Sequence, residues 1–508
     1  MKKILVMTLR YLIPLSFLAF SCGTSSKTES SEINNDTTNV TQVTEEVIDT
    51  TPPFKSIASN FDTKTIILPE GFTYKVLFSE GDPVTRADGK QFPAKGNHDL
   101  CVYIPDESQP NTKGRIYVSH ETKRKNINLG DGGGATIFDI EKVDGEWKVI
   151  SDFMHVDFSG VGFTNRNCGG TITPNGTIFT CEEAWAHNTS YLYMNGQGMT
   201  DTSWVNGRPI WQNMGYIVEV DPIKNQVIKK HYQMGKFVHE DAYCTKDGKT
   251  VYLSDDMNPA VFFKFETDTP YDYNKGKLYA YQQTNDGASG KWIELPNDTS
   301  SWLDIRNVAL KMGASMFIRH EWIEEIDGKF YISETGDDEY NLSHSVMIGG
   351  NFTNYAEQNL KTIGKENFSD PYGRILVFDP KTNVIKPFLE GGMFPDSISC
   401  FSNPDCNTSV KIGGKTYLVL SEDIIGTEKG RSGDGTVGFY NEIYFLDMSI
   451  EHPTVNDLLR FCVAPYGSET TGVIFSPDGK SMFINIQHPD VNNPPPFNKS
   501  CTIVVEGF

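Results

Sequence analysis

Five hairpin signatures recur along this chain, and they constrain its fold more than any other feature. Each is a tight-turn dipeptide followed by a run of alternating apolar residues: Asn175-Gly176, Asp247-Gly248, Asp327-Gly328, Gly413-Gly414 and Asp478-Gly479. Such dipeptides adopt the positive φ angles that a two-residue hairpin loop requires. The turns are 65 to 86 residues apart, a recurrence typical of repeated sheets with insertions between them. The pattern therefore predicts an all-β fold, a single large β-propeller with inserted loops and short helices.

Acidic residues follow four of the five predicted hairpin strands. These strands run into Glu182-Glu183, Asp255-Asp256, Glu334 and Glu422-Asp423, and the fifth ends at Gln487-His488. Carboxylates from several blades can converge on one point, and their hard oxygens suit calcium. A thiolate or an imidazole among them indicates a transition metal as well. Any single acid is more simply explained as a turn cap or a solvated rim residue, so the prediction depends on recurrence.

The N-terminus has the features of an export signal. Residues 1–21 combine Lys2-Lys3 with an apolar stretch and end before Cys22 in a lipobox-like sequence, which predicts a lipoprotein-type signal peptide. Residues 22–60 are polar and poor in aromatics, typical of a disordered tether, and residues 61–508 form the predicted propeller domain. We therefore expect an exported protein, lipid-anchored at Cys22 in the bacterial periplasm or on the cell surface. The alternative is an ordinary secretory signal with a chance cysteine.

Charge and cysteine content narrow the range of partners. The formal net charge of -21 disfavours nucleic acid, and it leaves a lipid anchor as the only expected membrane contact. We expect a monomer that acts on a small molecule. Eight cysteines follow Cys22 without a CxxC pair, so a structural zinc site is not predicted, and disulfide pairing stays open.

Several short motifs place reactive residues beside the predicted strands. They are Asn97-His98-Asp99, Ser119-His120-Glu121, Arg166-Asn167-Cys168, His239-Glu240-Asp241 and Arg319-His320-Glu321. An arginine beside an acidic cluster can bind phosphate oxygens in a bidentate manner, and metal-activated attack on such a phosphate is a recurring device for ester hydrolysis. A cysteine such as Cys168, taken singly, is more often a buried apolar side chain or half of a disulfide than a metal ligand, and Asp99 could simply be an Asx-turn residue.

Over most of residues 61–508 the chain resembles the PhoX family of secreted alkaline phosphatases, which depend on calcium and iron. The resemblance rests on Asn167-Cys168-Gly169-Gly170, Thr173-Pro174-Asn175-Gly176-Thr177 and Cys181-Glu182-Glu183, and on two C-terminal motifs, Thr471-Gly472-Val473-Ile474-Phe475-Ser476-Pro477-Asp478-Gly479 and Asn485-Ile486-Gln487-His488-Pro489. It implies a six-bladed propeller whose central site holds calcium and ferric ions (Fe3+) joined by a bridging oxide.

The same resemblance assigns roles to individual residues. Cys168 would be an iron ligand, Arg319 would hold the substrate phosphate and Arg166 would assist it. The other implied metal ligands are carboxylates: Glu183, Glu240, Glu321, Glu422, Glu121 and Asp99. The predicted function is therefore an exported metal-dependent phosphomonoesterase that releases inorganic phosphate from organic phosphoesters.

Two alternative functions stay open at this level. The first is a propeller hydrolase of other esters, such as phosphodiesters, phytate or lactones, which the two arginines disfavour in the case of lactones. The second is a non-enzymatic calcium-binding surface propeller for glycans or proteins. Cys168 among the acids argues against the second, because structural calcium requires no thiolate.

Overall fold

The computed structural model describes residues 52–123, 126, 128–130, 132–184, 204–205, 207–284, 289–337, 370, 372–424 and 440–508. Within these residues the chain is built mainly of antiparallel sheets, which we number 1 to 6 in their order around a ring. The prediction of an all-β propeller is confirmed.

Sheets 1 to 3 contain the two termini of the described domain and its first third. Sheet 1, from the innermost strand outward, consists of Glu469–Phe475, Ser481–Gln487, Cys501–Glu506 and Thr73–Ser79. Sheet 2 consists of His98–Pro105, Lys113–His120, Ala135–Val143, Phe153–Val156, Pro83–Thr85 and Gln91–Pro93, with Glu146–Val149 paired to the third of these strands. Sheet 3 consists of Asn167–Ile172, Ile178–Glu182, Ile217–Asp221 and Gln226–Lys230.

Sheets 4 to 6 follow in chain order. Sheet 4 consists of His239–Cys244, Thr250–Asp255, Phe263–Glu266, Lys277–Gln283 and Gly290–Glu294. Sheet 5 consists of His320–Ile326, Lys329–Glu334, Arg374–Asp379 and Val384–Glu390. Sheet 6 consists of Pro404–Ile412, Lys415–Glu422, Glu442–Asp447 and Leu458–Val463.

The remaining described elements are short. Two small hairpins pair Trp204–Val205 with Arg208–Pro209 and Gly392–Met393 with Cys400–Phe401. The α-helices are Thr299–Trp302 and Ile305–Lys311, and the 3-10 helices are Ser159–Val161, Ile210–Asn213, Tyr232–Met234 and Val455–Asp457. The two α-helices lie near the predicted helical stretch, Trp302 to Met312.

The innermost strand of each sheet packs against the innermost strand of the next, and the series closes on itself. Closure also joins the ends of the domain, because Thr73–Ser79 pairs antiparallel with the C-terminal strand Cys501–Glu506. The start of the innermost strand of every sheet therefore lies at the same end of the ring axis.

The number of blades differs from the six implied by the resemblance. Five sheets of the described chain have the ordinary four- or five-stranded antiparallel form, whereas sheet 2 has seven strands. Its irregularity has a local cause, because Pro83–Thr85 pairs in parallel with Phe153–Val156 and adds a second small hairpin. Sheet 2 also lacks a tight-turn dipeptide between its two inner strands, where residues 106–112 form a longer loop.

All five predicted hairpins join the first and second strands of a sheet, although at Asn175-Gly176, Asp247-Gly248 and Asp478-Gly479 only the glycine has the expected positive φ. In the two-residue loops both central residues have positive φ, 53° and 78° at Asp327-Gly328 and 57° and 80° at Gly413-Gly414. These values match the primed turn whose twist fits that of the flanking strands.

Aromatic packing places the end of the predicted tether with the domain. Phe54 is buried, and its ring lies 6.1 Å from Phe72, 5.1 Å from Phe445 and 4.9 Å from Phe461. The Ile57 N–H donates to the Arg460 carbonyl at 3.1 Å. Residues 54–57 thus pack on the core, although the sequence predicted a tether as far as residue 60. The signal peptide and Cys22 lie outside the described residues.

The eight cysteines of the domain are all buried, and no disulfide joins any two of them. Among the helices that the structure describes, none is long and apolar enough to cross a membrane.

Buried ion pairs involve the last residue of the second strand in sheets 3, 4 and 5 and the first residue of the third strand in sheet 6. Glu182 and Lys230 are both fully buried, with Lys230 Nζ 2.7 Å from Glu182 Oε1. The other Glu182 oxygen accepts from the Gly215 and Tyr216 N–H groups at 3.0 and 3.1 Å. Similar pairs join Arg306 to Asp255, Arg374 to Glu334 and Arg460 to Glu442.

Replacing one partner of such a pair is expected to destabilise the domain strongly. Lys230→Met leaves the Glu182 carboxylate buried without its cation, so we expect the free energy of unfolding to fall by about 3–5 kcal/mol. Chemical denaturation of wild type and variant measures this difference. Lys224→Met, whose lysine makes an exposed pair with Asp221, is the control and should cost under about 1 kcal/mol. Equal losses in both variants would contradict the prediction.

Candidate active site

A repeated backbone unit builds the site at one end of the ring. In each sheet a residue at the start of the first strand pairs with one at the end of the second: His98 with His120, Asn167 with Glu182, His239 with Asp255, His320 with Glu334, Pro404 with Glu422 and Glu469 with Gln487. We call these the ladder pairs. Side chains alternate along a strand, so the residue that follows each ladder-pair member points to the opposite side.

Ten of the twelve residues that follow ladder-pair members line a shared cavity, and the two exceptions are Thr335 in sheet 5 and Thr470 in sheet 1. On the first strands they are Asp99, Cys168, Glu240, Glu321 and Asp405, and on the second strands they are Glu121, Glu183, Asp256, Asp423 and His488. In sheet 1 the ladder-pair residue Glu469 itself reaches the cavity. A register shift follows the ladder pair in sheets 2 to 6, so a β-bulge turns the first strand at this point.

A second feature of the unit fixes the residue just before each ladder pair. In sheets 2 to 6 its carbonyl accepts from the N–H of the residue that follows the ladder pair on the second strand: Asn97 from Glu121, Arg166 from Glu183, Val238 from Asp256, Arg319 from Thr335 and Asn403 from Asp423, at 2.8 to 3.0 Å. Four of these five residues have positive φ, 47° at Asn97, 45° at Arg166, 59° at Arg319 and 48° at Asn403. Such values are uncommon for arginine and characteristic of functional sites.

Eight of the nine predicted site residues line the cavity, whose volume is about 740 Å³. They are Asp99, Glu121, Arg166, Cys168, Glu183, Glu240, Arg319 and Glu321. These eight residues belong to sheets 2 to 5, and closure of the ring places them around one cavity.

The ninth predicted residue, Glu422, does not line the cavity, so its predicted position is wrong. It is the ladder-pair member of its strand, and its carboxylate accepts from the Ser402 and Glu442 N–H groups at 2.9 and 3.1 Å. These bonds hold it inside sheet 6. The next residue, Asp423, lines the cavity instead, because one step along a strand exchanges the two faces of the sheet.

The two arginines are held by carboxylates of the site. Arg319 Nε lies 2.7 Å from Asp256 Oδ1, and its Nη2 lies 3.3 Å from Asp256 Oδ2 and 3.2 Å from Glu321 Oε1. Arg166 bonds Glu121 through Nε at 2.7 Å, and its Nη2 contacts Glu121 and Glu183. Among the described residues these contacts use Nε and Nη2 only. Each guanidinium is therefore fixed along one edge and keeps its Nη1 donors for a ligand.

Acidic residues greatly outnumber basic ones in the cavity lining. The described lining contains ten carboxylates against two arginines and two lysines, Lys95 and Lys123. Two groups bring one ligand atom per residue within 4.8 Å of one another: Glu240 with Asp256 and Glu321, and Asp423 with Glu469 and His488. The first offers only hard oxygens, as calcium prefers, and the second adds an imidazole.

The pKa values of these groups report the same charge crowding. Burial, followed by the neighbouring Glu121 carboxylate, raises the pKa of Asp99 to about 8. Burial, followed by Glu321, raises the pKa of Glu240 well above its usual range. Burial and the Glu240 carboxylate also raise the pKa of the Cys168 thiol, whose Sγ lies 3.0 Å from the His239 carbonyl. Bound cations would lower these pKa values, and a thiol that coordinates a metal ion is deprotonated outright. The donor set thus fits metal ions.

The sequence analysis did not select several residues that line the cavity. They are Glu80, Lys95, Asn97, Lys123, Asp256, Asp405, Asp423, Glu469 and His488. Five of them, Asp256, Asp405, Asp423, Glu469 and His488, lie in acidic or histidine motifs beside the hairpins. The hairpin recurrence was the signal that could have found them, since it places them at or beside positions equivalent to those of the selected residues.

Comparison with known proteins agrees with this geometry. The model of the family "Alkaline phosphatase PhoX" matches residues 145–490. A solved structure of Pseudomonas fluorescens PhoX in complex with vanadate, a transition state analogue, is similar to the chain with a TM-score of 0.69 and 21% identity, over 89% of this chain and 98% of that one. A Trichoderma reesei carbohydrate-active enzyme of family AA12 matches over 89% of this chain and all but 1% of its own length, with a TM-score of 0.41 and 11% identity. No curated protein matches the chain.

Proposed function

Because the chain belongs to the PhoX family of alkaline phosphatases, we propose that it is an exported, metal-dependent phosphomonoesterase acting on small organic phosphoesters. The family resemblance predicted from the sequence is confirmed, and the chain is a phosphoester-hydrolysing enzyme. Family membership also argues against a non-enzymatic surface propeller.

The pair of clamped arginines carries the proposal for the substrate. Arg166 and Arg319 occupy equivalent positions, each just before a ladder pair, in sheets 3 and 5, and both line the same acidic cavity. The Nη1 donors that stay open on each guanidinium can bind phosphate oxygens by charge-assisted hydrogen bonds. The carboxylates that hold Nε and Nη2 would keep each guanidinium oriented and limit the entropy lost on binding. We therefore assign Arg319 as the phosphate-binding residue and Arg166 as its assistant.

The surrounding carboxylates and the thiol would hold the metal ions. Glu240, Asp256 and Glu321 form the all-oxygen group suited to calcium, and Cys168 beside Glu183 offers the soft donor suited to iron. Glu121 and Asp99 complete the proposed ligand set, and Asp423 replaces Glu422 in it. When bound, such ions would neutralise the negative charge that develops on the phosphoryl oxygens. Arg319 would keep the phosphate in place, and the open Nη1 donors of Arg319 and Arg166 would orient it.

Two structural proposals accompany this function. We propose that sheet 2 serves as a sixth blade, because its innermost strand contacts the innermost strands of sheets 1 and 3 and supplies Asp99 and Glu121. We also propose that the predicted lipoprotein signal anchors a monomeric enzyme outside the cytoplasm.

Hydrolysis of a chromogenic phosphomonoester by the purified protein at alkaline pH tests the function. We expect turnover by a protein that carries both calcium and iron in metal analysis of the same sample. A folded protein that contains calcium but no iron and gives no turnover would refute the proposed site.

Removal of the metal ions is expected to make stability depend strongly on pH. Without cations, the Asp99 pKa is about 8 in the folded protein against 3.8 for the ordinary group, so the folded state binds this proton more tightly than the unfolded chain. Stability of the metal-free protein must therefore fall as the pH rises between these two values. We expect the melting temperature of chelated protein to drop between about pH 4 and about pH 8, and added calcium to remove most of this drop. A flat profile for the chelated protein would contradict the prediction.

A further inference from the structure

Thr335 occupies a position that holds an acidic cavity residue in sheets 2, 3, 4 and 6. It follows the ladder-pair residue Glu334, and its N–H donates to the Arg319 carbonyl at 3.0 Å. Glu121, Glu183, Asp256 and Asp423 make the same bond in their own sheets. Thr335 differs from them because it is fully buried and does not line the cavity.

The Thr335 hydroxyl contacts a proposed metal ligand. Its Oγ1 lies 2.6 Å from Glu321 Oε1 and 3.0 Å from the Pro404 carbonyl. A hydroxyl has one hydrogen to donate, and an ionised carboxylate is the stronger acceptor. The shorter distance agrees, so the hydroxyl donates to Glu321 Oε1.

The two carboxylate oxygens of Glu321 differ in their contacts. Oε1 accepts from Thr335 and lies 3.2 Å from Arg319 Nη2. Within the described part of the chain both contacts use Oε1, which leaves Oε2 to face a cation shared with Glu240 and Asp256. The hydroxyl thereby ties the orientation of the carboxylate to that of the phosphate-binding arginine.

We propose that Thr335 is a positioning residue that orients the Glu321 carboxylate for a hard cation bound with Glu240 and Asp256. This inference rests on the proposed function, because it takes that group as a metal site. Outer hydrogen-bond partners of metal ligands typically contribute 10- to 100-fold to metal affinity.

Thr335→Val tests the role, because valine keeps the branched shape and removes only the hydroxyl. Metal-free protein would be titrated with calcium chloride alone and followed by calorimetry and by the shift in melting temperature. We expect calcium affinity to fall about tenfold in Thr335→Val and to return to the wild-type value in Thr335→Ser. The calcium concentration that restores half of the phosphatase activity should rise by the same factor, with little change in kcat at saturating calcium.

Thr470→Val is the matched control. Thr470 is a fully buried threonine that follows the ladder-pair residue Glu469 in sheet 1, and its hydroxyl has no hydrogen-bond partner among the described residues. Calcium affinity of this variant should equal that of the wild type. If Thr335→Val does not fold, Thr335→Ala, which removes the hydroxyl with less bulk, replaces it in the titration.

The outcomes separate this inference from the proposed function. Wild-type affinity in a folded Thr335→Val or Thr335→Ala protein would overturn the role of Thr335 and leave the metal site standing. An equal loss in Thr335→Ser would also overturn it, because packing and not the hydroxyl would then be responsible. A wild-type protein that binds no calcium would overturn both proposals.

Discussion

Arg319→Asn is expected to lower kcat/KM for a phosphomonoester by about 100- to 1,000-fold, the loss typical of removing one charge-stabilising donor. Asparagine is the appropriate replacement, because Asn97 and Asn403 occupy the equivalent positions of sheets 2 and 6 with the same left-handed backbone. The variant therefore keeps the turn and removes the guanidinium. Steady-state kinetics with a chromogenic phosphomonoester measure the effect.

Two comparisons isolate the guanidinium from other causes. Arg319→Lys keeps the positive charge beside Asp256 but loses the fork that can bind two oxygens, so we expect its activity to lie between those of wild type and Arg319→Asn. Arg86→Ala removes an arginine paired with Asp88 outside the cavity, and its activity should equal that of the wild type. Full activity in Arg319→Asn, with unchanged metal content, would exclude Arg319 as the phosphate-binding residue.

The hairpin signatures predicted the fold well because they are local. In every one of the five dipeptides the glycine takes a positive φ, so each dipeptide indicates the first two strands of a sheet without knowledge of the rest of the chain. Sheet 2 shows the limit of this signal. Its inner strands are joined by residues 106–112 and its outer strands include a parallel pair, and neither feature has a comparable local pattern.

Eight of the nine predicted site residues line the cavity, and the misplacement of the ninth, Glu422, follows from strand alternation. In Glu182-Glu183 the second acid was selected and lines the cavity, whereas in Glu422-Asp423 the first was selected and proved to be buried in its sheet. The two doublets look alike in sequence. Only the ladder pairs distinguish them. In both doublets the first acid is the ladder-pair residue, whose carboxylate bonds within its sheet, and the second acid lines the cavity.

Other members of the site depend on closure of the ring. Asp405 and Glu469 come from sheets 6 and 1, and they meet Asp99 only because the C-terminal sheet pairs with the first described strand. Lys95 and Lys123 carry no recurring motif, so their place in the lining follows from tertiary structure alone. Sequence recurrence can therefore indicate which blade ends carry chemistry, but the distances among them are set by packing.

Cys168→Ser is expected to abolish the visible absorption of the iron-loaded protein, since a thiolate bound to ferric iron absorbs visible light and a serine oxygen does not reproduce that band. Iron content should fall in parallel, and activity by about 100-fold or more, which is at least the loss caused by removing an outer partner of a ligand. Cys181→Ser is the matched control: Cys181 is a fully buried thiol on the neighbouring strand of sheet 3 that does not line the cavity. This variant is expected to lose stability, because a hydroxyl enters an apolar core, yet to keep the colour and the iron. A colourless wild type with full phosphatase activity, or a coloured Cys168→Ser protein, would show that the thiol is no ligand and that the carboxylates alone hold the catalytic ions.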